Sequence, residues 1–598
     1  MPMEPLVELS IVDNSIAKTD FDSFSGSLGY EMQEVNDGSV STYNFQHNVA
    51  GLNFTLSGLD SDFENYVTPR GSVIEDRMKT DESIVMNSDS AAETSKFGVS
   101  KTGDWGYIGM SLASAERLYG IPFHAEAHPH DDPEPEFAKI MDEGEEEGEE
   151  HEGERIYALT DSDIFTLQGS LNLSNGLVNK VDYFLTSTDY SLIEQHAEEE
   201  GHDNHDEPEL MSEGDGEPHH DEEPTLFTND STEFGMIFDL SNDKRTQKIS
   251  MNFAEEDMAI VGEEAFMRPT MSEEFTIGYF FSQDIGAAHL DFGIRFDDIT
   301  RDGSVAEHHD EPEVVKPMDA GEEEIENYSF NYSTTNYSLQ ASQGLTDNLS
   351  IVLSATSAER APGAQELFMN GPHLATSRFE VGNVNLNPEK SNNLDMTLNY
   401  EAGNAFAKFT SYVNNVDEYI YLMDETDEDH DTHEVGEPHP EHGDLIHAEY
   451  LQNDAKFTGY EFELGNNFQL KNGVLTLTVG LDAVEGKFKD SQMFVPRMMP
   501  KRRFMHLDYV SGDYSAGVSY KEVQPQDNIA EGETGTDGYR MLDLDASKSY
   551  DLGDGVTFRS SIFIKNLLDE TARNHTSFVK NEVPLAGRNV GFKFKITF

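Results

Sequence analysis

The sequence predicts an all-β chain closed into one large antiparallel transmembrane β-barrel, and three observations predict it. The first is period-2 alternation. Leu290, Phe292, Ile294 and Phe296 alternate with Asp291, Gly293, Arg295 and Asp297, and Leu475, Leu477, Val479 and Leu481 alternate with Thr476, Thr478, Gly480 and Asp482. Such strands offer one face to hydrocarbon and the other to water. The second is composition. A soluble chain with 36% apolar residues and a net charge of −77 would be suspected of disorder, yet this one carries 37 Phe, 23 Tyr and 22 Met. A barrel reconciles these facts, because it needs only an apolar outer belt around a polar lumen and polar loops. Its 598 residues suit one barrel of twenty or so strands as well as they suit several soluble domains.

The third observation is that turns come in two sizes. Thr346-Asp-Asn348, Lys471-Asn-Gly473 and Asp551-Leu-Gly-Asp-Gly555 are tight hairpin signals. Against them stand four long, acidic, Pro-broken inserts: His124 to Glu154, His196 to Glu223, Glu307 to Glu326 and Asp424 to His447. Short turns on one rim and long loops on the other is the arrangement of outer-membrane barrels. Along the chain, strand character begins with Phe24 and Ser27-Leu-Gly-Tyr30, then Tyr43-Asn-Phe45 and Leu52-Asn-Phe-Thr-Leu56. Trp105 and Tyr107 follow the turn Thr102-Gly-Asp104, where amphipathic rings would anchor at headgroup level. The chain ends Phe592-Lys-Phe-Lys-Ile-Thr-Phe598, with its apolar residues on one face. Left as an edge, that strand would invite aggregation, and barrel closure removes the hazard.

Several classes are excluded. No run of about 18 apolar residues exists, so there is no transmembrane helix. The absence of Cys fits an oxidising compartment and removes disulfides and thiolate metal sites together. The strongly negative charge repels nucleic acid. Met1-Pro-Met-Glu-Pro-Leu-Val-Glu8 has neither the basic start nor the apolar core of a signal peptide, so the chain reads as lacking its true N-terminus. No Gly-x-Ser-x-Gly elbow, phosphate-binding Gly-rich loop or His-Glu-x-x-His helix is present, and the chain is expected not to be an enzyme. A hydrolase assembled from distant strands stays formally open.

The histidines gather in the four inserts. The first holds His124, His128, His130 and His151, and the second His196, His202, His205, His219 and His220. The third holds His308 and His309, and the fourth His430, His433, His439, His442 and His447. Each stands among Asp and Glu, so imidazole and carboxylate can reach one ion together, a donor set that suits zinc, copper or nickel. Solvation alone explains acidic runs such as Glu145 to Glu150 but not the gathering of His in the same windows. The loops are therefore read as metal collectors. A selective site needs a fixed position, and His373, framed by Asn370-Gly-Pro and Leu-Ala-Thr376, lies outside the inserts on a restricted backbone.

The stretch Asn385-Leu-Asn-Pro-Glu-Lys-Ser391 resembles a signature of TonB-dependent outer-membrane receptors. Glu359-Arg-Ala-Pro-Gly-Ala-Gln-Glu-Leu-Phe-Met-Asn-Gly-Pro-His-Leu-Ala-Thr376, with Phe379-Glu-Val-Gly-Asn383, resembles the zinc-uptake group of that family more narrowly. Ala455-Lys-Phe-Thr-Gly-Tyr-Glu461, Val495-Pro-Arg-Met-Met-Pro-Lys-Arg-Arg503, Lys565-Asn-Leu-Leu-Asp569 and Pro584-Leu-Ala-Gly-Arg588 resemble its recurring segments, and Phe598 resembles its terminal barrel-assembly signal. The resemblance implies about 22 strands over residues 21–598, in the outer membrane of a Gram-negative bacterium. It implies that residues 1–20, including Leu6 to Ile16, are the remnant of a plug-to-barrel junction, with the plug and its TonB contact absent. It also implies His373 as a zinc ligand, with Glu263 and Glu264 of Gly262-Glu-Glu-Ala-Phe266 as its partners. The expected partners are outer-membrane lipid, TonB and the barrel-assembly machinery, and the expected state is a monomer. Haem, copper or nickel uptake, a passive plugless porin and an acidic ion-binding surface protein remain as alternatives.

Overall fold

The computed structural model describes the chain except residues 1–14, 76–77, 80–82, 123–154, 174–175, 198–223, 263–264, 307–324 and 425–444, and the side chains at 75, 78, 79, 196, 197 and 374. Twenty-two long strands run from Ser25–Gln33 to Asn589–Thr597, each antiparallel to its neighbours. The first pairs with the last, Leu28 opposite Ile596, Tyr30 opposite Phe594 and Met32 opposite Phe592, so the barrel is closed. Beyond that ladder Gly26 and Phe598 exchange both backbone hydrogen bonds, at 2.7 and 2.9 Å. The Phe598 ring lies 5.9 Å from Phe24 and 6.3 Å from Phe45, so an aromatic cluster covers the seam at its short-turn end.

The alternation read from sequence appears as an outer belt. Leu56, Phe97, Leu112, Phe234, Phe253, Phe275, Phe296 and Leu394 are all exposed on the wall. Register sets them side by side: Leu56 faces Phe97, Phe97 faces Leu112, and Phe253 faces both Phe234 and Phe275. Cross-strand apolar pairs of this kind hold a sheet together while presenting it to lipid. The alternate positions point into the lumen and are polar. Asp297, for example, is buried there and accepts hydrogen bonds from Thr276, Thr334 and Asn336.

Tight turns at Asp347-Asn348, Asn472 and Asp554 all lie on one rim, as the alternation of strand direction requires. Asp554 takes a positive φ of 53° between Gly553 and Gly555, a left-handed turn that glycines make accessible. The strand ends that flank the four acidic inserts lie on the opposite rim. Within the inserts, His124 to His151, His202 to His220, His308, His309 and His430 to His442 fall outside the described residues, as does the side chain of His196. Trp105 is exposed at the short-turn rim as expected, but Tyr107 is not an interface anchor. Its ring is buried on the lumen face, its hydroxyl accepts from Gln168, and Lys18 lies over it at 6.0 Å. Trp105 belongs to the turn and Tyr107 to the strand that starts at Gly106, so the two-residue spacing that puts strand residues on one face does not apply to this pair.

Among the described residues, two segments that enter the barrel bear on the site. At the short-turn end, Ser15, Ile16 and Ala17 are buried against the wall, with Thr55 and Ser100 hydroxyls donating to the Ser15 and Ala17 carbonyls. At the long-loop end, residues 361–388 form the helix Ala364–Phe368, the short strands Asn370–His373 and Arg378–Val381, and a 3-10 turn between them. Phe368 packs so closely over Gly303 that a Cβ there would sit 2.5 Å from its ring. With Leu367, Met369 and Leu386 it meets Ile260, Phe266, Met267 and Ile420 to make an apolar core inside the mouth. The strand Arg378–Val381 then pairs in parallel with Ile446–Glu449, tying this loop to the extended end of a wall strand.

The belt generates a direct prediction. Phe253→Arg, at the middle of its strand and facing lipid, should cost about 2–4 kcal/mol in urea unfolding from bilayer vesicles, whereas lumen-facing Ser250→Arg should cost far less. Equal costs would mean that the two faces are assigned the wrong way round.

Candidate functional site

His373 ends the short strand that the loop lays across the mouth. Its Nδ1 lies 2.8 Å from Glu380 Oε1, and since a carboxylate only accepts, Nδ1 carries the proton. Glu380 is 3% exposed. The Thr376 hydroxyl lies 2.9 Å from the same Glu380 oxygen and 2.9 Å from the His373 carbonyl, closing the turn. Phe266 stacks on the imidazole at 5.0 Å between centroids. Gly371 makes that possible, because a Cβ there would lie 2.7 Å from the Phe266 backbone. The ring is thus fixed on one edge by a buried carboxylate and on one face by an aromatic, while its side chain stays 34% exposed. The remaining nitrogen, Nε2, is left as a lone-pair donor, the form in which histidine binds metals, and a carboxylate on the far nitrogen is the usual support for such a ligand.

The sequence candidates divide as follows. His373 is in a defined environment, and half-buried rather than enclosed. Glu263 and Glu264 fall outside the described residues, although Phe266 from the same segment is the ring that stacks on His373. His447 is the one insert histidine whose side chain is described, and it stacks on Phe379 at 6.0 Å. Phe379 and Glu380 alternate on their strand, so His447 lies on the opposite face of the loop sheet from His373 and the two do not converge. Among the described residues no three His, Asp or Glu side chains are placed to hold one ion together. Sequence reasoning missed Glu380 and Thr376 as supports, although Glu380 stood inside the quoted Phe379-Glu-Val-Gly-Asn383 stretch. A carboxylate seven residues from a histidine becomes its partner only when a turn folds two strands together.

Next to this site lies a buried charged hub that no sequence pattern announces. Arg378 grips Asp424 with a two-pronged pair at 2.7 and 2.7 Å and lies 4.3 Å above the Phe578 ring. Arg497 lies over the same ring at 4.1 Å and donates to the Leu422 carbonyl. Its backbone N–H donates to Glu533 Oε1, which is 3.0 Å from His575 Nε2 and 3.4 Å from Lys580 Nζ. Five rim segments therefore meet here: the His373 loop, the end of the strand Ala405–Asp424, and the loops spanning 489–501, 524–538 and 566–588. Burial alone would raise the Glu533 carboxyl, but His575, the Ala530 amide and Lys580 overrule it and hold it at about 2. Lys580 is lowered as well, because its burial outweighs the attraction of Glu533, so the stabilisation of this pair resides in the carboxylate.

The sign of the pH effect follows. A carboxyl held below its ordinary 4.5 contributes stability above that value and loses it as pH falls towards about 2. The native barrel should therefore lose more thermal stability across that window than Glu533→Gln does, measured by circular dichroism in detergent. Parallel pH profiles for the two proteins would contradict the role given to this carboxylate.

Comparison with known proteins agrees with the geometry. Residues 142–567 match the family described as TonB dependent receptor-like, β-barrel, which is more than half of the chain. Heme/hemopexin utilization protein C of Haemophilus influenzae is 24% identical over 245 residues, covering 38% of this chain and 33% of that protein, so the match spans about a third of the relative's length. Among solved structures, the copper transporter OprC superposes with a TM-score of 0.70 at 15% identity, over 97% of this chain and 82% of that one. The FrpB iron transporter of Neisseria meningitidis does so with a TM-score of 0.64 at 13% identity, again over 97% and 82%. At these identities the superpositions establish the fold. The closed barrel of 22 strands, its lipid-facing belt and the family match over residues 142–567 together identify the chain as a member of the TonB-dependent receptor family of Gram-negative outer membranes, whose members are transporters rather than enzymes.

Proposed function

We propose that this barrel takes up a transition-metal ion, zinc first among them, with His373 as a fixed ligand at the mouth. The observation that carries the reading is the His373–Glu380 pair: a buried carboxylate on Nδ1 and an aromatic on the ring face hold Nε2 ready as a donor. Neutral imidazole suits zinc, copper and nickel, and zinc in a closed site takes four ligands. The other donors are assigned to Glu263 and Glu264, whose segment carries Phe266. The four histidine-rich inserts would raise the local metal concentration at the long-loop rim, from which the ion passes to His373. Energy for release into the periplasm would come from TonB acting through a plug domain. The segment Ser15–Ala17, held on the lumen wall, is read as the end of the linker to that plug.

A second reading is haem, favoured by the similarity to a haem-utilization protein. The same Nε2 would then be an axial ligand to haem iron.

The two are separated by titrating the folded receptor, plug included, with zinc by calorimetry and with haem by absorption. On the zinc reading, His373→Ala abolishes a tight one-ion event and leaves weak multi-ion binding intact, and Glu380→Gln weakens the tight event about 10–100-fold. Deleting 198–223 should do the reverse, lowering the number of weak ions. A tight zinc event untouched by His373→Ala would defeat the assignment. A Soret shift that depends on His373, without tight zinc binding, would transfer the site to haem.

A further inference from the structure

The outer wall carries two faces of opposite charge, and uptake through the lumen uses neither. On the strands Leu52–Phe63, Ser90–Gly103, Gly106–Gly120 and Arg155–Asn172 the apolar belt runs through Leu56, Phe97, Leu112 and Phe165, each opposite the next. Four residues nearer the long-loop rim, the same outward positions are Asp60, Glu93, Glu116 and Asp161, again each opposite the next. Asp163 and Asp189 add one more opposed pair. All six are exposed, and none pairs with a Lys or Arg among the described residues. Like charges directly opposite destabilise a sheet, so this face calls for cations that its own strands do not supply.

Between the apolar row and the acidic row Ser95 and Ser114 stand opposite each other, too small to fill the wall. There lies a hollow of about 500 Å³, apolar on one side at Phe97 and Phe165 and acidic on the other at Asp163 and Asp189. The complementary face is on the far side of the barrel. Arg503 points outward like the exposed Met505 two residues on, and both Arg503 and Arg540 stand opposite Glu522. They share its single carboxylate at 3.6 and 3.9 Å, and their side chains stay 60% and 62% exposed. On the two strands before Arg503, Lys456 and Lys487 oppose each other, with Glu485 3.0 Å from Lys487. Four cations on this face thus have two carboxylates, while six carboxylates on the other have no cation.

The acidic face spans the third to seventh of the twenty-two strands and the cationic face the sixteenth to twentieth. Their centres are therefore nine strands apart one way round and thirteen the other, close to opposite sides. The membrane holds every copy upright, so neighbouring barrels can set the cationic face of one against the acidic face of the next. A two-fold pairing of either face with itself would instead oppose like charges.

We propose that the receptor associates with further copies of itself in the membrane plane, the Arg503 and Arg540 side chains of one barrel entering the Asp163–Asp189 hollow of the next. Their methylenes lie over Phe97 and Phe165 while the guanidinium groups meet the carboxylates in the paired geometry that arginine favours. The contact is head-to-tail, and with its two faces so far apart it extends into open rows rather than closing a small ring. This replaces the monomer expected from the sequence.

The test is energy transfer between receptors labelled at Asp347→Cys on the short-turn rim, the chain having no cysteine of its own, in phosphatidylcholine vesicles with EDTA. Native receptors should transfer more than a random distribution at the same lipid-to-protein ratio. Arg503→Glu with Arg540→Glu, and separately Glu116→Arg with Asp163→Arg, should each weaken association about a hundredfold, roughly tenfold for each reversed charge. Mixing the two variants one to one should restore transfer, because each then offers the other an oppositely charged face. Heat-modifiable mobility on gels verifies that every variant is a closed barrel. Random transfer by the native protein, transfer that appears only when magnesium is added, association unchanged in either closed variant, or no recovery on mixing would each overturn the proposal.

Discussion

The structure depends on closing a row of backbone hydrogen bonds. In hydrocarbon no water satisfies an unpaired N–H or C=O, and each one left open costs several kcal/mol, so a spanning sheet must have no edge. Here the obligation falls on the pairing of Ser25–Gln33 with Asn589–Thr597, strands separated by the whole chain, and on the Gly26–Phe598 exchange beyond them. Such a contact has the largest loop-closure cost available to this sequence, and the aromatic cluster of Phe24, Phe45 and Phe598 offsets part of it by packing across the seam. Once closed, the wall separates two solvents, and the rest of the charge distribution follows. Apolar pairs go outward. Groups such as Asp297 go inward among hydroxyls and amides. Most of the surplus acid goes into loops.

Inside the mouth a different physics applies. The loop 361–388 buries Leu367 and Phe368 as a soluble core would, and so obtains a rigidity that a solvated loop lacks. Rigidity is what converts a loop histidine into a site. Glu380 can be buried because His373 and Thr376 satisfy its oxygen, and His373 is oriented because Glu380 is buried. The hub around Phe578 extends this order sideways to the loops 489–501, 524–538 and 566–588. A change at His373 reaches Arg378 through a two-strand turn, and Arg378 shares its ring with Arg497.

Much of the fold was legible because a lipid-facing sheet writes period 2 into the sequence, and the Asn-Gly and Asp-Gly turns mark the rim where strands reverse tightly. Tyr107 shows the limit: alternation sets two classes of residue, but which class faces lipid at a given turn depends on register with the neighbouring strands. The site was legible in part. His373 stood out because Gly371 and Pro372 frame it and because it lies away from the acidic inserts. Glu380, Phe266 and the Arg378–Asp424 pair did not, because their meeting depends on two short strands and a 3-10 turn inside a loop that has no periodic signal. The hub was illegible for the same reason, its members being drawn from five segments spread over two hundred residues.

The central claim is that a rigid loop at the barrel mouth presents the Nε2 of His373 to a metal. The most direct measurement is anomalous X-ray scattering at the zinc edge from crystals of the receptor grown with zinc. The account requires a peak about 2.0–2.1 Å from His373 Nε2, with Glu380 still on Nδ1. Peaks confined to the acidic inserts, or an imidazole turned away with Glu380 released, would contradict it.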